Sequence, residues 1–168
     1  MIDIVLLLML LLFSGIFSGS ETALVALSIG RVEGLVREGR RGAQALYRLK
    51  KDPSRMLTTI LIGNNLVNIA ASVLATVLAT KLFGSAGPGI AVGVLTILIL
   101  VFGEITPKSL ATRYSETISL TIAPFLLAFM RLIYPLVWIF GCFTTWVHQL
   151  ANAKGDPVVT QSELISML

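Results

Sequence analysis

The chain has 168 residues, of which 55% are hydrophobic and only 13% charged, with a mean hydropathy of +0.88. A soluble domain carries about 25% charged residues to cover its water-facing surface. These proportions exclude a soluble globular enzyme, a disordered tail and a disulfide scaffold, and leave a membrane domain of all-α class. Cys142 and His148 are each alone of their kind, so neither an internal disulfide nor a thiol–imidazole metal cluster is available.

In chain order, the first apolar stretch covers residues 4–29, interrupted only by small or hydroxyl residues and Glu21. Its single early charge is Asp3, and its length exceeds the apolar core of a cleavable signal, so it reads as a retained span. Residues 31–55 follow with eight basic and three acidic side chains, a net of +5. Val32, Leu35 and Val36, then Ala43, Leu46 and Leu49, recur at helical spacing on either side of Gly39 and Gly42. The pattern predicts two short amphipathic helices under the cytoplasmic headgroups. Asp52-Pro53 supplies an N-cap and a first-turn proline for the next helix.

The second span covers residues 56–80 and contains Asn64, Asn65 and Asn68; the third covers 89–105 and ends on Gly103-Glu104. Each is long enough for a bilayer, which takes about 20 helical residues. With the basic cluster inside, the N-terminus lies outside and the third span ends inside. The basic balance is thus a topology signal, assisted by anionic lipid, and not a nucleic-acid footprint. A fourth apolar region, residues 117–150, carries Pro124, Arg131 and Pro135 and reads as a bent helix partly in the interface, with Tyr134, Trp138 and Trp146 as interfacial aromatics. Residues 151–168 turn polar and read as a linker, with a capping-box pattern at Thr160-Gln161-Ser162-Glu163 that opens a further cytoplasmic region.

Polar groups in hydrocarbon are costly and point to function. Ser14 and Ser18 share a helix face flanked by Gly15 and Gly19; Asn64 and Asn68 share another beside Gly63. Pro107 lacks an N–H, so an α-helical count leaves the carbonyl of Gly103 without its partner, next to the Glu104 carboxylate. Two readings of these groups stay open: interhelical glue, with Glu104 paired to Lys108 one turn on, or a ligand set made only of oxygen. Oxygen-only sets suit Mg²⁺, Ca²⁺ or Mn²⁺ rather than zinc or copper.

The segments Ser14-Gly15-Ile16-Phe17-Ser18-Gly19, Gly63-Asn64 through Asn68, and Gly103-Glu104-Ile105-Thr106-Pro107 resemble the transmembrane domain of the CorC/CNNM magnesium transporters. That resemblance implies three spans per subunit, a juxtamembrane belt helix, a homodimer, and paired CBS domains beyond residue 168. It implies an ion-transport domain over residues 1–150 in a bacterial inner membrane, with Mg²⁺ as cargo. Export is the expected direction and Na⁺ a candidate coupling ion, neither of which the resemblance itself decides. The positions it carries across are Ser14, Ser18, Asn64, Gly103 and Glu104, with Asn68 nearby; Ser20, Glu21 and Asn65 belong to the bacterial form of the motifs. The expected partners are a divalent cation, membrane lipid and a second copy of the chain. The competing expectation is a membrane anchor or sensor for a cytoplasmic module. An enzyme is not expected, since no nucleophile–base pair or HExxH-like pattern occurs.

Overall fold

A computed structural model describes residues 2–135, and those up to Leu132 form one compact unit, to which the following account applies. The elements are α1 (Ile2–Ala26), α2 (Ile29–Arg37), α3 (Ala43–Lys50), α4 (Pro53–Phe83), a 3₁₀ turn (Gly84–Ala86), α5 (Gly87–Leu98), a π-helical segment (Ile99–Ile105), α6 (Thr106–Arg113) and α7 (Ser115–Leu132). The expected Trp138, Trp146, Cys142, His148, linker and capping box lie outside the described residues. Helices α1 and α7, and the continuous stretch Pro53–Arg113 that holds α4 to α6, are long and apolar enough to cross a membrane. No strand occurs among the described residues.

Capping fixes the boundaries. The chain leaves α1 at Ala26 rather than continuing to residue 29, because the Ser28 side chain accepts from the Arg31 N–H and starts α2. Asp52 accepts from the Arg55 N–H at 3.0 Å and Pro53 occupies the first turn, as the sequence predicts. Helix α4 therefore begins before residue 56 and runs past residue 80. Lys81 near its far end lies 3.9 Å from Asp3 at the start of α1, so α1 and α4 are antiparallel. Gly84, at φ +60°, opens the reversal into α5. Gly87 then packs against the α4 backbone, where a Cβ would come within 2.5 Å of Ala79 and Thr80. Ala71, Ala75, Ala79, Ala91 and Leu95 form the buried seam between α4 and α5.

A second apolar cluster occupies the other half of the bundle. Phe17, Leu24, Met56 and Ile60 meet Val32 and Leu35 from α2, Leu46 and Leu49 from α3, and Leu120, Leu126 and Met130 from α7. The apolar faces of α2 and α3 are thus covered by protein, not by the lipid surface the sequence suggests. Lys50 ties this end together, its ammonium donating to the Leu24 carbonyl at 2.7 Å in the last turn of α1. Burial there pushes the Lys50 pKa down. Arg31 bridges α2 to the start of α7 through Glu116 at 2.8 Å, and that hydrogen-bonded carboxylate raises its pKa.

Helix α7 runs unbroken through Pro124, burying Ser119, Leu120, Ala123, Leu126 and Met130 on one face. Its Phe125 and Phe129 rings meet Phe17 at centroid distances of 6.2 and 5.3 Å. Pro124 deprives the Leu120 carbonyl of an N–H donor. That carbonyl instead faces Gly42, where a Cβ would overlap its oxygen. A glycine Cα–H thus meets an acceptor that Pro124 set free.

Gly39 (φ +68°) and Gly42 (φ +82°) both adopt left-handed backbone, but only Gly42 has a neighbour in the way. Gly39→Ala is expected to lower stability by about 1–2 kcal/mol through handedness alone. Gly42→Ala adds an overlap worth about 1–3 kcal/mol. Thermal unfolding of the two variants in detergent checks the order, with Gly42→Ala melting lower.

Candidate functional site

The predicted residues converge where α1, α4 and the π-helical segment meet. Ser14 on α1 is buried, and its hydroxyl donates to Asn64 Oδ1 on α4 at 3.4 Å. On its other side, Ser14 Oγ lies 2.8 Å from the position a Cβ would take on Gly103. Two other segments therefore reach one serine oxygen on α1. A hydroxyl bond is normally about 2.5–3.0 Å, so Ser14 and Asn64 face each other loosely.

Close backbone approach makes this possible. A Cβ on Gly15 would lie 2.9 Å from the Phe102 carbonyl oxygen and 3.0 Å from Pro107 Cγ. One on Gly19 would lie 3.3 Å from the Pro107 carbonyl oxygen. On the α4 side, Gly63 receives the Phe17 and Phe129 rings, at 2.5 and 2.9 Å from its own notional Cβ. Gly15, Gly19 and Gly63 thus each admit a neighbouring element. Gly89 and Gly93, by contrast, have nothing within 4 Å in the chain.

The third span differs from expectation in a specific way. Pro107 does not break the helix; the turns before it widen to π geometry, with the Thr106 N–H donating to the Val101 carbonyl five residues back. In that register the missing N–H of Pro107 falls opposite Phe102, whereas the α-helical count selects Gly103. The Phe102 carbonyl faces Gly15, so this oxygen joins the α1 interface. An α-helical count of four back from Pro107 passes over this oxygen, and a count of five reaches it.

Ser18 and Asn68 are distributed differently. Each follows the central pair by four residues, about 6 Å of helix rise. Because α1 and α4 run antiparallel, those steps go opposite ways, and the two stand about 12 Å apart along the axes. They bracket the Ser14–Asn64 contact and do not join it in one cage. Ser18 Oγ and Asn68 Oδ1 are both buried without a hydrogen-bond partner. Orphaned buried oxygens are rare and call for an explanation.

Glu104 is half-buried beside Gly103, and neither the Lys108 pair nor any other ion pair forms at it among the described residues. Glu21 is exposed and likewise pairs with none of the basic residues of the following segment. Ser20, though buried, turns its hydroxyl back onto the Ile16 carbonyl, and Asn65 is exposed. Among the described residues no three His, Cys, Asp or Glu side chains gather. Hydroxyl, amide, backbone carbonyl and a single carboxylate are thus the donors present, a set that fits a hard cation.

Substitution of the two kinds of glycine separates close approach from helix propensity. Gly103→Ala must displace Ser14 and is expected to destabilise by about 1–3 kcal/mol. Gly34→Ala in α2, with open space around it, should be neutral or slightly stabilising. Thermal unfolding in detergent measures both.

Comparison with known proteins agrees with the motifs. Residues 4–168 match the family described as the CNNM, or cyclin M, transmembrane N-terminal domain. The chain is 40% identical over 167 residues to a UPF0053 protein of Haemophilus influenzae, covering 98% of this chain and 40% of that one. It is 41% identical over 150 residues to the Escherichia coli UPF0053 inner membrane protein YfjD, covering 89% and 35%. A chloroplastic DUF21 domain-containing protein of Arabidopsis thaliana is 36% identical over 166 residues, covering 97% and 25%. The chain spans well under half the length of each of these relatives. With its whole apolar region matched, the chain belongs to the CNNM transmembrane-domain family.

Proposed function

We propose that this membrane domain is the ion-conducting part of a secondary transporter whose cargo is Mg²⁺. The observation that carries the reading is the pair of orphaned oxygens, Ser18 Oγ and Asn68 Oδ1, on either side of the loose Ser14–Asn64 contact. If these groups only glued helices together, they would hold partners. Instead they form a ladder of acceptors along the α1–α4 interface. Asn68 stands toward the end where Asp3 meets Lys81, and Ser18 toward the end where Lys50 meets Leu24.

The central rung is the binding position in this reading. Ser14 Oγ, Asn64 Oδ1, the Phe102 and Gly103 carbonyls and the Glu104 carboxylate are its donors. Neighbouring oxygens around Mg²⁺, each about 2.1 Å from the metal, stand about 3.0 Å apart. The observed 3.4 Å between Ser14 and Asn64 needs only a small contraction. Water completes the shell, as Mg²⁺ generally retains several. One carboxylate leaves a dication under-neutralised, which favours release over tight storage. Ser18 and Asn68 serve the ion on entry and exit.

The remaining features follow the same reading. The chain lies in an inner membrane with the α1 N-terminus outside, supported by the basic residues gathered at the opposite end. The active form is a homodimer, supported by the vacant space at Gly89 and Gly93. Transport is outward in exchange for Na⁺, and cytoplasmic CBS domains in the full-length protein regulate it.

Thermal unfolding of the purified chain across a Mg²⁺ titration tests binding. At ten times the dissociation constant the ion should add about 1.4 kcal/mol, a rise of several degrees in Tm. Glu104→Gln should abolish the rise, Ser14→Ala and Ser18→Ala should reduce it, and exposed Ser109→Ala should leave it unchanged. A flat titration of the unmodified chain overturns the binding claim. Flux of Mg²⁺ from vesicles holding the full-length protein, with and without a Na⁺ gradient, tests transport; binding without flux in either direction would leave a sensor.

A further inference from the structure

Where α3 begins beside α7, a groove of about 630 Å³ is lined by Gly39, Arg40, Arg41, Gly42, Thr117, Leu120, Thr121 and Pro124. It shares no residue with the ion ladder. Arg40 and Arg41 are exposed and make no ion pair or side-chain hydrogen bond among the described residues. Arg31 is engaged with Glu116 and Glu38, and Lys50 with Leu24; Arg37 and Arg48 are unpaired as well among the described residues, but they do not line the groove. Two free guanidinium groups in one concave place attract an anion with several oxygens, above all a phosphate. On the facing wall the Thr117 hydroxyl can donate to it, whereas Thr121 already donates to the Thr117 carbonyl and has no proton to offer.

The wall also indicates which phosphate. Along the exposed side of α7, Thr117 and Thr121 are followed by Pro124, Phe125 and Ala128, all exposed. One turn of polar surface thus passes, at intervals of about 6 Å per four residues, into an apolar strip. A soluble phosphate has no use for that strip, whereas a phospholipid presents phosphate and acyl chain in this order. The groove also belongs to the segment with net charge +5, which an anionic leaflet attracts.

We infer that this groove is a binding site for one anionic phospholipid, with Arg40 and Arg41 holding the phosphate and Pro124, Phe125 and Ala128 receiving an acyl chain. Its occupant would brace the α3–α7 junction, where Gly42 meets the Leu120 carbonyl, and so favour the folded arrangement of the cytoplasmic end. The site stands whether or not the ion ladder carries Mg²⁺.

Native mass spectrometry of the purified chain in detergent, titrated with phosphatidylglycerol and separately with phosphatidylcholine, tests this. A single phosphatidylglycerol should be retained in preference to phosphatidylcholine. The double substitution Arg40→Gln and Arg41→Gln should weaken it by about fivefold per arginine. The matched double substitution Arg37→Gln and Arg48→Gln removes the same charge from the same segment outside the groove and should change little. Phe125→Ser should weaken phosphatidylglycerol while leaving binding of glycerol 3-phosphate, used as a chain-free probe, unaffected. Equal losses in the two arginine pairs would reduce the effect to diffuse charge and overturn the site. Displacement of the lipid by millimolar inorganic phosphate would reassign it to a free anion.

Discussion

The packing of α1 against a proline-bearing helix is the contact on which the membrane half of this structure depends. Gly15 and Gly19 let the α1 backbone lie against Phe102 and Pro107, with a carbonyl oxygen only 2.9 Å from where a side chain would begin. Any larger residue would separate the helices by the thickness of that side chain. Ser14 would then no longer reach Gly103, and the π-helical carbonyls would face lipid or a void. In hydrocarbon, irregular backbone is tolerated only where protein or a polar cavity covers it. The glycines and the proline are therefore a single device, although they lie almost 90 residues apart in the sequence.

That contact also lies between two apolar clusters. Toward one side are the alanine seam of α4 and α5, with Leu7, Leu10 and Ile99 packed against it. Toward the other are Phe17, Leu24, Ile60 and the faces of α2, α3 and α7. The polar residues Ser14, Asn64 and Gly103 form a thin layer at the junction. Each cluster is complete without the other, so small rotations at the junction need not empty either core. In the transport reading this is the useful property, since an ion held between two separately packed halves can be exposed to one side and then the other.

How far the sequence discloses this arrangement differs from residue to residue. The helices were readable from apolar length, from Asp52-Pro53 and from the two short runs around Gly39 and Gly42, because each signal is local. The pairing of Ser14 with Asn64 was not readable as a distance, but both residues stood out as polar groups in apolar runs. The π register is not legible in the sequence, because a count from Pro107 yields Gly103 only if the helix stays α, and nothing nearby announces the extra residue per turn. The separation of Ser18 from Asn68 depends on α1 and α4 being antiparallel, a tertiary fact. Donors that look like one set of six in the sequence become a ladder once helix direction is included.

The basic residues show the same division of one sequence signal into several structural roles. As a count they report orientation, and no more. In the fold, Arg31 fastens α2 to α7 and Lys50 closes the end of α1, so these two act within the protein. Arg40 and Arg41 line a groove beside a proline-freed carbonyl that meets a left-handed glycine. Both proline sites therefore follow one logic. Pro107 frees a carbonyl that α1 glycines approach inside the membrane, and Pro124 frees a carbonyl that Gly42 approaches at its edge. A proline that loosens one helix and a glycine that lets another chain segment reach the gap thus recur at both places, the one proposed to take a cation and the one inferred to take a phosphate.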